Sequence, residues 1–134
     1  DRRGRFDAPI GRDARHRQRM GIVTLDKGRA ATTDYVLRRS FAEHALLEVA
    51  PRPGRTHQIR VHLAFLGCPV AGDRVYGLRR PTLGLKRQML HAWRVRFRLP
   101  GAEASERTFE APLPEDMLEA LRRAEGSVVA EADP

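Results

Sequence analysis

Arg52-Pro-Gly-Arg-Thr-His-Gln-Ile-Arg-Val-His-Leu-Ala-Phe-Leu-Gly-Cys-Pro-Val-Ala-Gly-Asp-Arg-Val-Tyr-Gly77 is the stretch from which the fold of this chain can be read. Leu46, Leu47 and Val49 precede it with the spacing of a buried strand, and Pro53-Gly54 then turns the chain. Thr56 stands where a helix over residues 57–66 would take its N-cap, because its hydroxyl can accept an orphan N–H of the first turn. Ile59, Leu63 and Leu66 fall at i, i+4 and i+7, one face of that helix. Gly67 suits the position after the helix and Pro69 stops it.

The polar groups gather at the helix start. Arg55, Thr56, His57, Gln58 and Arg60 lie in or next to its first turn, where unpaired N–H groups and the positive end of the helix dipole favour an anion. Two arginines there oppose the dipole. Either the site holds something negative, or these are exposed cations in an arginine-rich chain.

Outward from this stretch, Ile22 to Leu25 with Asp26-Lys27-Gly28 reads as a strand and turn, residues 30–41 as a strand, and Ala45 to Val49 as its hairpin partner. Residues 1–20 carry Arg2, Arg3, Arg5, Arg12, Arg15, Arg17 and Arg19, with Pro9 and Gly11 against any long helix. They read as a loop-rich solvated entry or as a basic arm along RNA phosphates. Residues 78–88, with Arg79, Arg80, Pro81, Lys86 and Arg87, read as an exposed basic loop. In residues 89–99, His91, Trp93, Val95, Phe97 and Leu99 alternate with Arg94, Arg96 and Arg98, the pattern of a half-buried antiparallel strand. A short strand over 107–111 follows. A last helix over 115–124 has Glu115 and Asp116 at its start, Arg122 and Arg123 at its end and Gly126 just after, leaving 127–134 as a tail.

Gly54-Arg55-Thr56-His57-Gln58-Ile59-Arg60-Val61-His62-Leu63, followed by Gly67-x-Pro69-Val70-x-Gly72-Asp73-x-x-Tyr76-Gly77, closely resembles the signature of the RluA-type pseudouridine synthases. Ala8 to Asp13 and Arg29 to Tyr35 resemble that family's upstream segment; Leu90-His91-Ala92 and Phe109-x-Ala111-Pro112 resemble its downstream one. The likeness spans residues 7–121. It implies an α+β fold, mainly an antiparallel mixed sheet with two principal helices, forming part of a pseudouridine synthase catalytic core. The activity implied is isomerisation of uridine to pseudouridine in rRNA or tRNA by an attacking aspartate, with no metal or organic cofactor. Carried over by motif, Arg60 is the arginine that pairs with this carboxylate. Arg55, Thr56, His57 and Gln58, with Arg52 and Arg12, are the expected RNA-binding residues. The family's nucleophile lies in a His-Arg-Leu-Asp segment that this sequence does not contain. Leu25-Asp26-Lys27 lacks its flanks, Asp26 reads as a turn residue, and Asp73 reads as structural. Neither Tyr35 nor Tyr76 inherits the base-stacking role. The expectation is therefore a fragment, residues 1–134 forming the C-terminal portion of one catalytic domain with flexible 1–6 and 127–134, and inactive alone.

Composition agrees with a polyanion partner. The chain has 134 residues, one domain's worth, a formal charge of +8, and only Lys27 and Lys86 as lysines. Arginine favours bidentate phosphate contacts, although coding bias also enriches it. Cys68 is alone, so no internal disulfide forms, and a packed small side chain is expected there. No apolar run approaches the ~20 residues of a membrane span. A cytoplasmic protein, monomeric in its full-length form, is expected. His57 and His62 are five apart, roughly 140° around a helix, and have no third ligand nearby, which argues against a zinc hydrolase. No Gly-rich loop with Lys and Ser/Thr is present for a phosphate-loop enzyme. The remaining rival is a non-catalytic RNA-binding module on the same scaffold.

Overall fold

The computed structural model describes residues 2–79, 82–101 and 105–131, with side chains as far as residue 126. Arg80 and Pro81 of the basic loop and residues 132–134 of the expected tail lie outside the described residues. In chain order the elements are β1 (Arg3–Asp7), β2 (Ile10–Arg12), β3 (Met20–Ile22), β4 (Thr32–Ser40), β5 (Ala45–Arg52), α1 (Gln58–Phe65), β6 (Arg94–Arg98), β7 (Glu106–Glu110) and α2 (Glu115–Glu131). All strand pairs are antiparallel: a β1-β4-β5 sheet and the two-stranded β2-β3 and β6-β7 ribbons. This is the expected mixed α+β architecture.

The first correction is at the N-terminus, where β1 and β2 replace the first part of the expected loop, while residues 13–19 are turns and bends. Gly4 and Phe6 turn inward in β1 while Arg3, Arg5 and Asp7 face solvent. Phe6 packs edge-on against His62, ring centroids 4.8 Å apart, and Gly4 leaves room for the ring of Tyr35 opposite it. Arg5 meets Asp34 across the ladder, Nε to Oδ1 at 2.6 Å. Arg3 and Arg5 are thus the wet side of a strand.

Ile10, Ala31 and Val61 form the central apolar cluster, with Met20, Ile22 and Tyr76 packed on it. His62 is the largest fully buried side chain. Its Nδ1 is 2.7 Å from Thr33 Oγ1 and its Nε2 2.9 Å from the Ala8 carbonyl, so it ties α1 to β4 and to the β1–β2 connection. The expected α1 face is only partly right: Leu63 is buried, but Leu66 is 41 % exposed, and Gln58, Val61 and His62 make the inner side. Ile59 and Leu63 instead line a groove of about 490 Å³ with Leu47 and Val49 of β5 and Met117 and Leu121 of α2.

Three further expectations are corrected. Cys68 is exposed. α2 continues through Gly126, whose cost of about 1 kcal/mol in a helix does not stop it. The β6-β7 ribbon is exposed on both faces. Phe97 and Phe109 stack on each other at 5.7 Å but are 41 % and 57 % exposed, with nothing over them among the described residues.

Candidate active site

The chain enters α1 through an unusual turn. His57, not Thr56, holds the N-cap position, with φ 56° and ψ 21°, and makes no side-chain cap bond; Thr56 is exposed. Histidine is one of the few non-glycine residues enriched in this left-handed region. The cap is made differently. The Gln58 side chain reaches back so that its Oε1 accepts the Arg55 N–H at 2.9 Å, while its Nε2 donates to the Thr32 carbonyl at 2.8 Å and to Thr33 Oγ1 at 3.2 Å. Gln58 is buried, and both ends of its amide are committed to fixing the turn against β4. Its amide is turned into the fold, on the side away from solvent, where an RNA-facing wall was expected.

That turn aims Arg60. Its guanidinium lies against Asp73 in a side-on fork, Nε to Oδ2 at 2.7 Å and Nη2 to Oδ1 at 2.9 Å. The Asp73 side chain has no solvent exposure and that of Arg60 only 12 %. Asp73 Oδ1 also accepts the N–H groups of Val75 and Tyr76, each at 3.0 Å. Burial alone would push the Asp73 carboxyl up. The Arg60 fork and the two amides together outweigh it and hold the group below the ordinary carboxylate range. Arg60, hydrogen-bonded to Asp73, is raised in turn.

Tyr76 completes the cluster. The Arg60 guanidinium carbon sits 5.1 Å from its ring centroid. Its hydroxyl accepts the Met20 N–H at 2.9 Å and lies 2.8 Å from His57 Nδ1. Burial first, then the Arg60 charge, lowers the His57 pKa and favours the neutral ring, which shares one hydrogen bond with the tyrosine hydroxyl through Nδ1. Replacing Tyr76 by Phe should cost about 1–3 kcal/mol, because the Met20 N–H loses its acceptor and His57 Nδ1 its hydrogen-bond partner. The shift in urea midpoint measures it.

The other expected binding residues are scattered around this cluster. Arg55 is half-buried, its Nε 3.3 Å from the Ala30 carbonyl. Arg52 is exposed and pairs with Asp34 at 3.1 Å. Arg12 is exposed on β2 opposite Met20 and donates to the Arg17 carbonyl at 2.9 Å. Asp26 sits in a turn with Thr24, as expected. Reading the motif alone missed that the partner of Arg60 within the chain is Asp73 and that Tyr76 and His57 join it. It also missed a cleft beside Asp73 lined by Arg19, Arg74 and Arg79. The Gly-Asp-x-x-Tyr-Gly spacing was the available signal, since an aspartate two and three residues before free amides forms an Asx turn. Among the described residues no three His, Cys, Asp or Glu side chains group to hold a metal.

The chain is similar to known proteins over most of its length. An uncharacterized RNA pseudouridine synthase from Chloroflexus aurantiacus is 50 % identical over 120 residues, 90 % of this chain and 37 % of its own. Ribosomal large subunit pseudouridine synthase D of Nitrosomonas europaea is 42 % identical over 137 residues, 95 % of this chain and 39 % of its own. Over most of its length the chain is a homologue of RNA pseudouridine synthases. It spans about two fifths of the length of these curated relatives. Among solved structures, human RNA pseudouridylate synthase domain containing 4 superposes with a TM-score of 0.68 at 27 % identity, covering 92 % of this chain and 56 % of that one. Its domain containing 1 counterpart gives 0.59 at 28 %, covering 92 % and 60 %. No protein-family model matches the chain.

Proposed function

We propose that these residues form one wall of an RNA pseudouridine synthase active site in which Arg60 pairs with the attacking aspartate. The observation that carries this is the state of the Arg60 guanidinium. It has five N–H donors, of which Asp73 takes one from Nε and one from Nη2. Both Nη1 donors and the second on Nη2 have no partner among the described residues, and that edge is the geometry of a second, end-on carboxylate fork. On this reading Asp73 is not the nucleophile, since its two oxygens are committed to Arg60 and to the amides of its own turn; the attacking carboxylate is that of the His-Arg-Leu-Asp segment implied by the resemblance. Paired with a fixed arginine, it stays ionised and aimed at the nucleoside. The target uridine leaves its stack, the base is released and turned, and C5 replaces N1 in the bond to ribose, the proton lost from C5 being balanced by one taken up at N1. The substrate is rRNA or tRNA, held by Arg55, Thr56, His57, Arg52 and Arg12, in a cytoplasmic monomer that needs no cofactor. No helix among the described residues is long and apolar enough to cross a membrane.

The test is release of tritium from 5-tritiated uridine in rRNA and tRNA transcripts by the complete polypeptide carrying this sequence. Arg60→Lys keeps the charge but loses the fork; turnover should fall at least about 100-fold with RNA affinity within threefold. Normal turnover removes Arg60 from catalysis. Affinity lost in step with turnover makes Arg60 a phosphate contact. RNA binding without any turnover in the complete wild-type protein selects the non-catalytic module.

A further inference from the structure

The Arg60–Asp73 pair has a consequence beyond that reading. A long arginine side chain leaving the first turn of a helix has several rotamers, and a carboxylate partner in the active site needs one of them. Asp73 supplies the restraint. It is itself immobilised: its side chain is wholly buried, Oδ1 accepts two backbone N–H groups of its own turn, and its backbone N–H donates to the Val70 carbonyl at 3.1 Å. It grips the guanidinium through Nε and Nη2, the edge facing back along the side chain, and leaves the terminal edge open. The Tyr76 ring, 5.1 Å from the guanidinium carbon, adds a contact from the same turn.

We propose that Asp73 is the positioning residue of this site: it acts only through Arg60, fixing the plane of the guanidinium so that its terminal N–H groups meet the attacking carboxylate. This rests on the proposed role of Arg60. An ordinary structural ion pair makes a different forecast, because a residue that merely stabilises the fold contributes whether or not position 60 carries a fork.

A double-mutant cycle on turnover in the complete polypeptide separates the two. Asp73→Asn should lower kcat about 100-fold, the cost of misaiming a catalytic group by about an ångström, with the KM for RNA within twofold. In an Arg60→Lys background the same change should cost less than twofold, because no fork remains to be aimed. Asp73→Glu, which keeps the charge and displaces the carboxylate by one methylene, should also lower kcat without moving KM, and serves where Asp73→Asn fails to fold. Equal losses in both backgrounds, or unchanged kcat in Asp73→Asn or in folded Asp73→Glu, overturn the positioning role. A fully active Arg60→Lys overturns the underlying reading of Arg60 instead, so the two failures are distinguishable.

Discussion

Alanine at Gly72 is expected to remove about 2–5 kcal/mol of folding stability, a large part of the ~5–15 kcal/mol that holds a domain of this size together. Two costs combine. Gly72 has φ +81°, a backbone state that a Cβ strains, and the added Cβ would overlap the Arg87 carbonyl oxygen while sitting 3.1 Å from Leu85 Cβ. The clash is with main chain, and that main chain is tied down: Met89 N–H donates to the Ala71 carbonyl at 2.8 Å, and Arg87 Nε pairs with Asp116 of α2 at 2.7 Å. Relief would have to move the segment carrying Asp73. Gly67→Ala is the control. It has φ +83° and open space around its Cβ position, so it should show the conformational cost alone, about 1 kcal/mol. Urea midpoints measure both; equal losses would mean that close approach to Arg87 is not what reserves position 72 for glycine.

Much of the fold was legible because it is written in local chemistry. Pro53-Gly54 does end β5's run into the turn, the β4-β5 hairpin turns where Glu43-His44 stands, and α2 starts at the acidic pair Glu115-Asp116. The N-terminal strands were not legible, since arginine at alternate positions looks the same in a solvated loop and on the wet side of a ladder. The alternation in residues 89–99 identifies an apolar face, but no residue in it says whether anything lies on that face, and here Val95 and Phe97 are open. Within the site, the motif pointed to Arg60 but placed Gln58 outside. A polar residue on the first turn of a helix reads as exposed until β4 is known to present the Thr32 carbonyl and Thr33 hydroxyl to it. The Arg60–Asp73 fork spans thirteen positions through a turn of its own, beyond the reach of helical spacing.

Arg60→Ala is expected to destabilise the fold by about 3–5 kcal/mol at pH 7, the cost of leaving a buried carboxylate with part of its solvation removed. Asp73 would keep the Val75 and Tyr76 amides and lose the cation. Its titration then moves upward. In the wild type its pKa lies below the unfolded value, so as pH falls the unfolded chain binds the proton first, and stability present above about pH 4 is lost in more acid solution. Without Arg60 the carboxyl loses its strongest downward pull and titrates higher than in the wild type, so the folded variant loses less stability to protonation as pH falls. The stability gap between the two should therefore shrink from about pH 7 to about pH 3. Adding Asp73→Asn to Arg60→Ala should recover part of the loss at pH 7, because a neutral amide replaces the stranded charge. Denaturation curves across that pH range decide it. A gap that stays constant, with no recovery in the double variant, would mean that Asp73 and Arg60 stabilise the fold independently and that their fork contributes little.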